Sequence, residues 1–318
     1  YFGLVPAALL GIPLVEFMDG AKAMAASCRA TSALANPGLA LGAFMAAAAN
    51  AGRDKLVLVL PAEIQAFGLW VEQLVAESTG KHGRGIVPVI ETSDASPQAG
   101  SDRAMVLVDV GEVSPSSLAL LHSMRAAGVP TFHLHLPDRL ALAGEFFRWE
   151  FATATAGWLL GVNPFDEPNV QQAKDATKRL LDSYTNRGRL PTDEVEQLRG
   201  GAVATVSRAL KAAGRTAGGI LQSLTPGDYV GVLAYAPPDE PDVVQAIEGL
   251  RQRIASRTGH VATMGFGPRY LHSTGQLHKG GANTGVFIVI TTPPTADMPI
   301  PGSPYSLDRK STRLNSSH

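Results

Sequence analysis

The sequence is poor in several things, and each scarcity excludes a class of protein. A single cysteine, Cys28, stands in 318 residues, so no internal disulfide framework can form and a reducing, cytoplasmic compartment is expected. Charged residues make up only 17%, and no Lys/Arg stripe appears before the last dozen positions. A nucleic-acid partner, which needs clustered cations, is therefore not expected. Long apolar runs are also missing: the stretches 56–60 and 286–290 are far too short to span a bilayer, so no membrane partner is expected. What the chain does have is a hydrophobic fraction of 45%, enough to fold about two domains at this length. Its 33 glycines and 22 prolines follow no period, which excludes collagen and implies tight turns between short elements.

The two ends read as those of a fragment. The chain opens without a methionine on Tyr1-Phe-Gly-Leu-Val-Pro-Ala-Ala-Leu-Leu-Gly11. No basic segment precedes this apolar stretch, so it reads as the start of a buried helix rather than a signal peptide. Residues 307–318 break from the Pro-rich stretch before them and read as a non-native tail.

Between these ends the pattern predicts an α/β protein. Residues 1–51 are helical by composition, with Leu14, Phe17, Met18 and Ala21 at helical spacing and Asn36-Pro37 suited to open a second helix. A continuous apolar run, 55–60, predicts a strand buried on both faces, followed by a helix from 62 to about 77. The alternation repeats with a strand at 104–110, a helix opened by Ser114-Pro115, a strand at 131–136 and a long helix from about 140. Such spacing implies parallel strands joined by right-handed crossovers. After 190 the spacing predicts a helix at 192–213, a strand at 229–235, a helix at 239–257 and strands at 260–264 and 286–291. The expected organisation is a helical segment at 1–51, an α/β domain at 52–187 and a smaller C-terminal α/β region at 188–306.

Three constellations could carry chemistry. Gln73-Leu-Val-Ala-Glu-Ser-Thr-Gly-Lys81 places Glu77 at a helix C-terminus, where the dipole disfavours its charge and suits it to general-base work. A solvated glutamate before a Gly-terminated helix gives the same pattern. Gly161-Val-Asn-Pro-Phe-Asp-Glu-Pro-Asn-Val-Gln-Gln-Ala-Lys174 is a turn opening a helix, whose Lys174 can reach back across the loop or point into water. Gly265-Phe-Gly-Pro-Arg-Tyr-Leu-His-Ser-Thr-Gly-Gln-Leu-His-Lys-Gly-Gly281 is too polar for a filler loop and can present N–H groups to an anion or aim His272 or His278 at a substrate. His133 and His135 share a strand face without a third ligand nearby in sequence, so no metal site is assigned.

In this order the segments resemble glucose-6-phosphate isomerase, in the form fused behind a transaldolase in some bacteria. Glu16-Phe-Met-Asp-Gly-Ala-Lys-Ala-Met24 is similar to the helix joining that family's two sugar-isomerase domains. Glu77-Ser-Thr-Gly-Lys81 resembles the family's Glu-Ser-x-Gly-Lys, and Asn163 to Lys174 resembles its Asn-x-Phe-Asp-Gln-x-Gly-Val-Glu-x-x-Lys. Tyr270-Leu-His-Ser-Thr-Gly-Gln-Leu-His-Lys-Gly-Gly281 is similar to a C-terminal segment of the fused form. The resemblance implies a three-layer sugar-isomerase domain with a mainly parallel sheet, and aldose–ketose isomerisation of a sugar phosphate without metal or other cofactor. By the resemblance Glu77 is the base and Lys174 lines the site. The family's Gly-Gln-His segment has no counterpart in 86–98, which contains no His, so His278 of Gly275-Gln-Leu-His278 is the first choice for ring opening and His272 the second. Gln73, Ser78, Lys81 and Arg269 are assigned to substrate contacts. The family's first domain, with its phosphate cradle, would precede Tyr1 and be the main partner of this chain, and oligomers fit the reading. A sugar-phosphate-binding regulatory module without catalysis is the competing expectation.

Overall fold

A computed structural model describes residues 3–93, 95, 97–166, 168, 175, 178–179, 181–182, 185–186, 195–198, 200, 202–291, 298–302 and 306. The chain divides into two compact units, one of Tyr1–Glu167 with Leu271–Asn283, the other of Pro168–Tyr270 with the residues from Thr284 onward. The linear sequence suggests a division near residue 187; it gives no sign that 271–283 returns to the first unit. Residues 307–318, read above as a non-native tail, lie outside the described residues. Among the described residues no helix is long and apolar enough to cross a membrane.

The first unit begins with α1 (Leu4–Leu9), α2 (Leu14–Ser27) and α3 (Pro37–Asn50). The opening stretch is helical as expected but not buried, since Leu9 is 84% exposed. Asn36 caps α3 by accepting from Leu39 N at 2.9 Å, with Pro37 in the first helical position. Then follow β1 (Lys55–Leu60), α4 (Gln65–Thr79), β2 (Val87–Thr92), β3 (Arg103–Val110), α5 (Pro115–Ala126), β4 (Thr131–Leu136) and α6 (Leu142–Leu160). Strand β2 was not read from the sequence, because Pro88 and the polar Glu91-Thr92 interrupt its apolar run.

All four strands are parallel, in the order β2-β1-β3-β4. From β1 the chain moves outward to β2, and from β3 it moves outward the other way to β4. Right-handed crossovers therefore place α4 and α5 on opposite faces of the sheet. The alternation of the strands agrees. Leu56, Leu58, Leu60, Val106, Val108, Leu134 and Leu136 form one core with residues of α3, α4 and α6, including Met45, Val71 and Trp149. Asp109, on the other side of β3, meets Ser117 of α5. The result is a three-layer α/β sandwich.

The second unit holds its own parallel sheet, β8-β7-β9. Here β7 is Tyr229–Tyr235, β8 is Val261–Phe266 and β9 is Gly285–Thr291. Helix α8 (Pro241–Thr258) packs Ile247 and Ile254 against Val230, Val232 and Ala234. The helix expected over 192–213 is not formed. Val195–Gln197 (β5) and Val203–Thr205 (β6) pair antiparallel, and Arg208–Ala212 (α7) is the α-helix that remains among the described residues. Gly200, at φ 82, turns the chain between them, and the β-branched Val195, Val203 and Thr205 favour the pairing.

Candidate active site

Helix α4 ends where its sequence says it must. Val71 and Val75 bury one face, and Gly80 forms the C-cap. Thr79, fully buried, donates to Val75 O at 2.7 Å and accepts from Ile86 N at 3.0 Å, so its hydroxyl fixes the chain leaving the helix. The backbone then reverses in a two-residue turn between Lys81 and Arg84, which exchange backbone hydrogen bonds in both directions. Its central residues, His82 (φ 55) and Gly83 (φ 74), are both left-handed, as a primed hairpin turn requires. Glu77 stands one turn before this reversal, partly exposed, and Gln73 Nε2 donates to its Oε2 at 3.4 Å. Ser78 beside it is also partly exposed.

Lys81 is different in kind from Glu77. Its side chain is buried, and its ammonium donates to Asn163 O at 2.8 Å and to the Asp166 backbone carbonyl. Asp166 Oδ1 lies 3.1 Å away and compensates the buried charge. Arg84 Nη1 adds a hydrogen bond to Leu160 O at 3.0 Å, at the end of α6. The loop 161–166 folds locally because Gly161 caps α6 at φ 72 and Asn163 Oδ1 accepts from Phe165 N. The first two constellations are thus joined by two cationic side chains, Lys81 completing carbonyls of the loop after α6 and Arg84 the last carbonyl of α6 itself. Lys81 acts on the loop here, which is a holding function beside the substrate contact expected of it.

The third constellation arrives through α9 (Gly275–Gly280). Gln276 Nε2 donates to Gly80 O at 3.0 Å, and Gly83 N donates to Gly280 O at 2.8 Å. Leu277 lies so close that a Cβ built on Gly80 would stand 2.3 Å from Leu277 Cα. Only glycine fits there. His278 is the next residue of α9. Burial pushes its imidazole down to about 4, with the neighbouring Lys279 ammonium acting in the same direction. A ring so placed stays neutral at neutral pH and can pass a proton without carrying charge. Burial also lowers Lys279 itself. His272 is exposed.

Arg269 is exposed and belongs to the second unit. Lys174 lies outside the described residues. His133 Nε2 is 2.8 Å from Asp109 Oδ2, and His135 Nε2 is 2.6 Å from Gly111 O, so both imidazoles serve the β3–β4 edge. Among the described residues no group of three His, Cys, Asp or Glu side chains could hold a metal. Sequence reasoning overlooked Gln276, Asn163 and Asp166 as holding groups. Their only signal was position inside segments already singled out.

No family model matches the chain. A probable glucose-6-phosphate isomerase of Methanococcus maripaludis is 26% identical over 213 residues, covering 56% of this chain and 49% of the relative. The glucose-6-phosphate isomerase of Leptospira biflexa is 30% identical over 222 residues, with the same two coverages. A probable glucose-6-phosphate isomerase of Haloarcula marismortui is 30% identical over 234 residues, covering 62% and 53%. The chain thus spans roughly half the length of the curated relatives it matches. Among solved structures, a hypothetical protein from Thermus thermophilus aligns with a TM-score of 0.49 at 20% identity, over 56% of this chain and 52% of that one. A glucose-6-phosphate isomerase from Chlamydia trachomatis aligns with a TM-score of 0.41 at 15% identity, over 54% and 43%. In sequence, then, the chain is a distant homologue of proteins named for sugar-phosphate isomerisation.

Proposed function

We propose that this chain carries the acid–base part of a sugar-phosphate isomerase that interconverts glucose 6-phosphate and fructose 6-phosphate. One observation carries the reading above the others. Three segments far apart in sequence, 73–81, 161–166 and 271–283, meet around Gly80 and Lys81. All three are segments on which the resemblance to the isomerases rests, and the relatives that match in sequence bear that name.

The chemistry follows from one carboxylate beside two adjacent carbons. After ring opening, Glu77 takes the C2 proton of the aldose while O1 gains a proton, giving a cis-enediol. Glu77 then returns its proton to C1 as O2 loses its own, leaving the ketose. The same base serves both carbons because they are neighbours, so the step calls for no nucleotide or metal. His278, neutral at working pH, shuttles the ring-opening proton. Gln73 and Ser78 order the approach to Glu77.

Glu77→Gln in the intact protein tests this. Turnover should fall by about 10²–10⁴-fold with KM little changed, because the base is lost while shape is kept. Exchange of the C2 hydrogen with solvent should fall equally. A variant that keeps most of its turnover removes Glu77 from the reaction. Binding of sugar phosphate without any turnover, in wild type as in variant, favours the non-catalytic binding module instead.

A further inference from the structure

We infer that Gln276 is a positioning residue that docks α9, and with it His278, onto the turn following Glu77. The role given to His278 rests on the isomerase reading; the docking does not. Gln276 is 8% exposed, and its amide reaches the Gly80 carbonyl. Gly80 caps α4, so this carbonyl is one of those that a helix leaves without an internal partner. A glutamine supplies both the reach and the donor. An apolar side chain of equal volume would leave the buried carbonyl unsatisfied.

The geometry makes α9 dependent on this anchor. Six residues of helix have no stability of their own, so their order comes from what they pack on. The contacts that join α9 to α4 and to the turn after it include Gln276 to Gly80, Gly83 to Gly280, and Leu277 against the glycine surface of Gly80 and Gly85, all close together. All three lie within two residues of His278 in the chain. Glu77 is three residues before Gly80 on the other side of the same contact. Gln276 therefore sets the position of one proposed proton carrier relative to the other without touching substrate.

The test is Gln276→Met in the full chain, a substitution of similar shape without a donor. Two readouts separate docking from catalysis. Titration of the His278 imidazole by NMR needs no substrate. In wild type it should titrate near 4, and in the variant nearer the ordinary 6.5, because a loosened α9 admits water to the ring. With cyclic sugar phosphate, kcat should fall by about ten- to a hundredfold while KM stays within about threefold. Exchange of the C2 hydrogen on open-chain substrate should persist, which a general loss of structure would not allow. Unchanged titration together with unchanged kcat overturns the inference. If wild type turns over no sugar phosphate, the isomerase reading falls and the titration alone decides the docking. Should Gln276→Met unfold, Gln276→Asn, which keeps the amide but is one methylene short, takes its place in both measurements.

Discussion

Glu145 sits in the first turn of α6 with 3% of its surface exposed. Its Oε1 lies 3.3 Å from Arg148 Nη2, while Oε2 makes no hydrogen bond among the described residues, and neither do Arg148 Nε, Trp149 Nε1 or Thr153 Oγ1. Burial pushes this carboxyl up to about 6 from its ordinary 4.5, with the Arg148 guanidinium pulling the other way. The folded chain thus holds the proton more tightly than the unfolded one. The stability this group contributes is present below 4.5 and is lost as the pH rises through about 6, a change of about 2 kcal/mol. Glu145→Gln should match wild type in urea unfolding at pH 4.5 and exceed it by about 1–2 kcal/mol at pH 7.5. Equal differences at both pH values would show that folding does not raise the carboxyl. His278 works in the opposite sense: its lowered value makes its contribution present above 6.5 and lost as the pH falls through about 4.

At the scale of elements, α3 and α6 pack closely. A Cβ on Gly42 would lie 2.5 Å from the Ala152 carbonyl oxygen and 2.6 Å from Thr155 Cβ, and Gly38, one turn earlier, faces Phe151 in the same way. Two effects of Gly42→Ala oppose each other. Helix propensity favours alanine by up to about 1 kcal/mol, whereas overpacking costs about 1–3 kcal/mol. Because the obstacle is backbone rather than a flexible side chain, the clash wins, and Gly42→Ala should destabilise the first unit by about 1–2 kcal/mol in denaturant unfolding. Gly249, inside α8, is the control. A Cβ there meets only Arg253 Nη1 at 3.4 Å, the far end of a flexible side chain. Gly249→Ala should therefore stabilise by up to about 1 kcal/mol. If both substitutions stabilise, α3 and α6 are not held at this distance.

Across the whole molecule, chain order and spatial order part company near the C-terminus. Residues 271–283 supply α9 to the first unit, and β9 then completes the sheet of the second, with Tyr229 N donating to Thr284 O at 2.9 Å. A stop after residue 270 should therefore remove protection from hydrogen exchange in both units, at the Gly83 amide and along β7. A stop after 306 should leave both protected; fast exchange at Gly83 in that shorter chain would mean the last twelve residues support the first unit. This division also marks what could be read in advance. Local chemistry determined the strands β1 and β4, the caps Asn36-Pro37 and Ser114-Pro115, and the parallel α/β class, because continuous apolar runs, capping oxygens and turn residues act within a few positions. The same local reasoning put a helix across 192–213, where pairing between Val195 and Thr205 prevails. Motif spacing singled out Glu77, Lys81 and His278 but could not say which side chain holds and which is left accessible. That was decided by packing: α6 delivers the 161–166 loop to the Lys81 ammonium, and the glycine surface at Gly80 admits α9. Hydrogen bonds between residues 82 and 196 positions apart depend on where whole elements come to rest, and no short stretch of sequence encodes that.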